Sequence, residues 1–112
     1  MGLFDMFRKV PRYEGEIIVK APAQETREAI KGCYQGLTGF AGLQIIDTPE
    51  RLQMQDPVNK KNTQDYFFQN ASVNHDSTIV RIIILCPEGG NAQSFFSGVV
   101  ERMSKKFETA VR

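Results

Sequence analysis

Leu43–Cys86, LQIIDTPERLQMQDPVNKKNTQDYFFQNASVNHDSTIVRIIILC, decides the fold. Leu43–Thr48 is a β-branched run ended by Pro49-Glu50, which marks a tight turn. Leu52 and Met54 then alternate with Arg51, Gln53 and Gln55, the two-residue period of a strand with one dry face. Asp56–Gln64 is polar and carries Pro57 and two asparagines, as a hairpin loop does. Tyr66–Val73 and Thr78–Cys86 read as two more strands, joined by a turn at Asn74-His75-Asp76-Ser77. Consecutive strands linked this briefly can only be antiparallel neighbours.

Working outward, Glu16–Lys20, EIIVK, reads as a further strand, and Ala21-Pro22 ends it. Pro22 suits a first helical turn, where its missing N–H costs nothing. The helix runs to about Leu37, with Ala29, Ile30, Cys33, Tyr34 and Leu37 on one side. Gly32 and Gly36 weaken it by about 1 kcal/mol each relative to Ala, which implies close backbone packing in compensation. Downstream, a last helix spans Asn91–Val111. Its apolar stripe is Phe96, Val99, Val100, Met103, Phe107, Ala110 and Val111, while Glu101, Arg102, Lys105 and Glu108 face water. The order is β-α-β-β-β-β-α. Two helices are too few to cover both faces of a sheet. The expectation is an α+β domain: one antiparallel sheet of about five strands, with both helices on one face.

The bulk numbers agree with a single domain. The chain has 112 residues, 41% of them apolar and 24% charged, a globular rather than a disordered composition. Fourteen basic and 13 acidic residues leave a net charge of +1, so there is no basic footprint for nucleic acid. No apolar run approaches the ~20 residues that span a bilayer. Residues 1–12 read as a separate amphipathic segment and residues 13–112 as the domain. Leu3, Phe4 and Phe7 could touch a membrane surface peripherally. A secretory signal and a myristoylation pattern are both missing, since position 6 is Met6, and the chain reads as cytoplasmic. Cys33 and Cys86 then read as buried thiols.

A sheet with one wet face alternates apolar and polar residues. Several strands here do not. Ile17 and Val19 flank Ile18, Ile45 adjoins Ile46, Phe67 lies between Tyr66 and Phe68, and Ile79–Leu85 is apolar except for Arg81. The uncovered face therefore carries large apolar groups, with Ile18, Ile46, Tyr66 and Phe68 as its candidates. The amphipathic start, a second subunit or a hydrophobic small molecule would cover it.

The chemical motifs are weaker. Arg81–Phe96, RIIILCPEGGNAQSFF, places Gly89, Gly90 and Asn91 before a helix, a candidate anion site. No lysine follows the glycines as a phosphate loop requires, so a turn with Asn91 as helix cap is the favoured reading. His75 is the only histidine, and no Cys-x-x-Cys spacing supports a metal site. Asp47, Glu50 and Asp56 crowd one hairpin, where solvated carboxylates are ordinary. Lys60-Lys61 with Tyr66 and Phe68 lacks the consensus of an RNA-binding strand. Neither catalytic residues nor a cofactor is indicated.

Glu16–Ile30, EIIVKAPAQETREAI, resembles the opening of START/Bet v 1-like helix-grip domains, in which a first strand runs through Ala-Pro into a helix. The apolar C-terminal helix is similar as well. The resemblance implies binding of a lipid or other hydrophobic ligand between sheet and last helix. The leading expectation is a small non-enzymatic module that self-associates, or binds a protein or membrane surface, through its open sheet face and N-terminal segment. The alternatives are a hydrophobic-ligand binder of helix-grip type and an enzyme of unknown class.

Overall fold

The computed structural model describes residues 12–35, 44–56, 62–85 and 92–112. The elements in order are β1 (Arg12–Val19), α1 (Ala23–Gln35), β2 (Gln44–Asp47), β3 (Leu52–Gln55), β4 (Thr63–Asn70), β5 (Thr78–Leu85), α2 (Ala92–Lys106) and β6 (Thr109–Val111). The strands form one antiparallel sheet in the order β2-β3-β4-β5-β1-β6. The α+β class and the single antiparallel sheet are as the sequence implies.

The sheet has six strands rather than about five. The sixth was hidden in the tail of the last helix. Phe107, Ala110 and Val111 fall at helical intervals from Met103, so the helical pattern runs on past the true end at Lys106. The Phe107 N–H still bonds the Met103 carbonyl, and then the chain turns. Lys20 N–H donates to the Glu108 carbonyl and Arg112 N–H to the Glu16 carbonyl, which zips residues 109–111 onto β1. β1 also begins earlier than expected and includes Arg12. The two edge strands are only four and three residues long, which limits unpaired backbone at the rims.

The ladder register fixes the two faces. Tyr66 pairs with Ile82 and Leu52, and Ile82 pairs with Gly15. Tyr13, Ile84, Gln64 and Met54 share that face, as do Ile17, Val80 and Phe68. Tyr66, Ile82, Leu52, Met54, Ile17 and Val80 are wholly buried there. Both helices lie on this face: Tyr34 of α1 bonds Tyr66, and Phe96 of α2 lies over Gly15.

Local chemistry starts α1 where the sequence suggests. The Pro22 carbonyl accepts the Thr26 N–H at 2.9 Å and the Thr26 hydroxyl at 2.9 Å. The Ala21 carbonyl accepts the hydroxyl of Thr78 at 2.7 Å, tying the helix start to β5. These two buried threonines are thus satisfied, as buried polar groups must be. At the other end of the sheet rim, Arg27 clips β2 to α1. Its guanidinium bonds Asp47, donates to the Thr48 carbonyl at 2.9 Å, and stands 4.7 Å from the centre of the Phe68 ring.

Candidate functional site

The open face is mixed rather than uniformly apolar. Ile18, Ile46, Phe67, Ile79, Ile83 and Leu85 lie on it, all half-buried. Between them runs a ladder of charges. Glu14 pairs with Arg81 and with Arg12 at 3.0 Å, and Glu16 with Arg112 at 3.6 Å. Asp65 accepts from Gln53 at 2.7 Å and lies 3.5 Å from Arg51.

The candidate residues divide between the faces. Ile18 and Ile46 are on the open face. Tyr66 and Phe68 are not: the register turns both toward the helices, and Phe67 takes the outward position. Three aromatics in a row carry no polar marker of parity, so the sequence leaves the face of each undecided. Gly89, Gly90, Asn91, Leu3, Phe4, Phe7, Cys86, Lys60 and Lys61 lie outside the described residues. His75 sits on an exposed turn with φ of 59°, and no cluster able to hold a metal ion occurs among the described residues. Asp47 serves structure: Lys31 bonds it at 3.0 Å, and this bond first, then that of Arg27, holds its carboxyl below the usual carboxylate range. No helix among the described residues is long and apolar enough to cross a membrane.

A concave feature lies between the helices. Cys33 and Tyr34 on α1 and Phe95, Gly98, Val99, Glu101 and Arg102 on α2 line a solvent-open cavity of about 280 Å³. Gly98 stands at its exposed edge, where a Cβ would meet nothing within 4 Å. Tyr34 and Phe95 wall it as a stacked pair, 5.9 Å between centroids and 23° apart. Gly32 does not pack against backbone as its helix-weakening suggests; a Cβ there would meet only the Lys106 ammonium, 4.0 Å away.

Beneath α2 the described residues pack closely. Phe96, Val99 and Met103 are buried against the sheet, and a Cβ on Gly15 would lie 2.8 Å from the Phe96 ring.

Burial pushes the Cys33 thiol up, against the opposing pull of Arg102 and Lys106. Tyr34 and Tyr66 share a buried hydroxyl–hydroxyl hydrogen bond, and burial holds the Tyr66 hydroxyl well above the ordinary tyrosine value. A neutral thiol is a poor nucleophile.

No family model matches the sequence, and no curated protein does. Among solved structures, the chain is similar to a protein from Nitrosospira multiformis determined by a structural genomics consortium. The TM-score is 0.50 with 11% identity, covering 87% of this chain and 96% of that one. At that identity the likeness is one of fold.

The sequence signal for the site lay on the flank of the expected stripe. Phe95, Gly98, Arg102 and Lys106 recur at helical spacing beside Phe96, Val99 and Met103. Only the second set reads as core. The first becomes visible as a seam once α1 is known to lie beside it.

Proposed function

We propose that this protein is a small non-enzymatic binding module whose site is the cavity between α1 and α2, and that its ligand is a small apolar molecule. The observation that carries this reading is the cavity itself: about 280 Å³, walled by Tyr34, Phe95, Val99 and Cys33. That volume is just below the range of about 300–1,000 Å³ typical of organic-ligand sites, with a mainly apolar lining and few polar groups. The resemblance of Glu16–Ile30 to helix-grip domains points to the same class of ligand. The test is an amide NMR titration with indole, repeated on Gly98→Leu, which fills the cavity from an exposed helical position. Indole should shift resonances around Cys33, Tyr34 and Phe95 in the native chain and lose most of that effect in the variant. Equal shifts in both proteins would place the binding elsewhere.

A second reading rests on the open face. The stripe Ile79, Ile83 and Leu85 on β5, with Ile18 and Phe67 beside it, is covered by neither helix. It supports self-association through the sheet. Docking there also buries the Glu14–Arg81 and Glu16–Arg112 pairs, and burying ion pairs carries a desolvation cost. Sedimentation of the native chain and of Ile83→Lys separates the readings: a dimer lost in the variant favours the sheet face.

A further inference from the structure

Two cations, one lining the cavity and one near it, have no ion-pair partner among the described residues. Arg102 lines it, and the Lys106 ammonium lies 4.0 Å from where a Cβ on Gly32 of α1 would be. Both act on Cys33, whose thiol burial raises and these two charges draw back down. Among the described residues neither has a carboxylate within ion-pair distance. The other charges nearby are engaged. Glu101, the one acid lining the cavity, lies 3.9 Å from Lys105, and Lys31 is held by Asp47 at 3.0 Å and Glu28 at 3.3 Å. Glu101, Arg102, Lys105 and Lys106 together leave this stretch of α2 with an excess of two positive charges.

We infer that Arg102 and Lys106 select ligands with an anionic end, so that the cavity takes a small organic acid: an aryl or alkyl carboxylate with its apolar body against Tyr34, Phe95 and Val99 and its carboxylate at the rim. The inference rests on the cavity being the binding site. The division of labour is physical. Apolar walls supply affinity in proportion to the area they remove from water. An exposed guanidinium and ammonium supply discrimination between charged and neutral ligands, modest in size and sensitive to salt.

Phenylacetate and phenylacetamide have nearly the same shape and differ in charge. Titrated into the native chain at low ionic strength, both should shift the amide resonances of Cys33, Tyr34 and Gly98. Phenylacetate should bind about fivefold to tenfold more tightly, the contribution of two exposed ion pairs. The preference should shrink as salt rises, and vanish in Arg102→Gln/Lys106→Gln while phenylacetamide binds as before. Equal binding of the two probes to the native chain overturns the anion selection and leaves the cavity reading standing. Binding of neither overturns both. A preference that survives in the double variant, with a lowered melting temperature, also overturns it: the two cations then serve the C-terminal carbonyls of α1, whose last turn carries no basic residue of its own.

Discussion

Replacing Gly15 by Ala puts a methyl group where the Phe96 ring already lies. The new Cβ would be 2.8 Å from both Cε2 and Cζ of that ring and 3.4 Å from Cε2 of Tyr13. Carbon atoms pack best at roughly 3.5–4.0 Å, so the ring must retreat by about 1 Å. It has nowhere to go. Phe96 is 4% exposed, and Tyr13 is tilted against it at 5.0 Å between centroids. Overpacking of this kind costs about 1–3 kcal/mol. Ala in place of Gly in a strand returns about 0.5–1 kcal/mol through the unfolded state. The net loss should be about 0–2.5 kcal/mol, a fall of up to several degrees in melting temperature at ~4–8 °C per kcal/mol for a domain near this size. Urea unfolding of Gly15→Ala, Phe96→Leu and the double variant isolates the contact. The alanine should cost less when the ring is absent, with a coupling of about 0.5 kcal/mol or more. Strictly additive effects, or a Gly15→Ala protein more stable than the native chain, would refute the close seating of α2 on β1.

Further outcomes follow from other contacts. Arg27→Ala removes an ion pair to Asp47, a bond to the Thr48 carbonyl and a cation over Phe68, and should cost about 2 kcal/mol by urea unfolding, with Arg27→Lys keeping only part of the loss at bay. Tyr66 keeps its proton in the folded state to a pH well above the ordinary tyrosine value, while the unfolded chain releases it near pH ~10. Its contribution is therefore whole below that pH and is lost as pH rises beyond it. Tyr66→Phe should lower stability at pH 8 by about 1 kcal/mol through the lost hydrogen bond, and should show a shallower decline in urea midpoint between pH 8 and pH 11. His75 holds a left-handed backbone, φ 59°, on an exposed turn, and His75→Gly should raise stability by up to ~1 kcal/mol. A melting temperature unchanged or lowered in that variant contradicts the strain.

Much of this fold was legible because its periods are clean. Leu52 and Met54 alternate with Gln53 and Gln55, and their burial follows that alternation residue by residue. Thr78–Leu85 does the same beneath an almost wholly apolar sequence: the register, not the composition, sends Val80, Ile82 and Ile84 inward and Ile79, Ile83 and Leu85 outward. Where two periods coincide, the sequence is ambiguous. Ala110 and Val111 satisfy a helix pattern from Met103 and also, flanking Thr109, a short strand; backbone bonds to Lys20 and Glu16 decide for the strand. The candidate site was harder to see. Gly98 and Arg102 sit on an exposed flank of α2 and read as solvent-facing. Only the placement of α1 beside them makes both part of a cavity lining.

Intermolecular nuclear Overhauser effects from bound indole test the central claim most directly. The cavity reading predicts cross-peaks to the Val99 methyls and to the rings of Tyr34 and Phe95. Cross-peaks confined to the methyls of Ile79, Ile83 and Leu85 would contradict it and move the binding surface to the other side of the sheet.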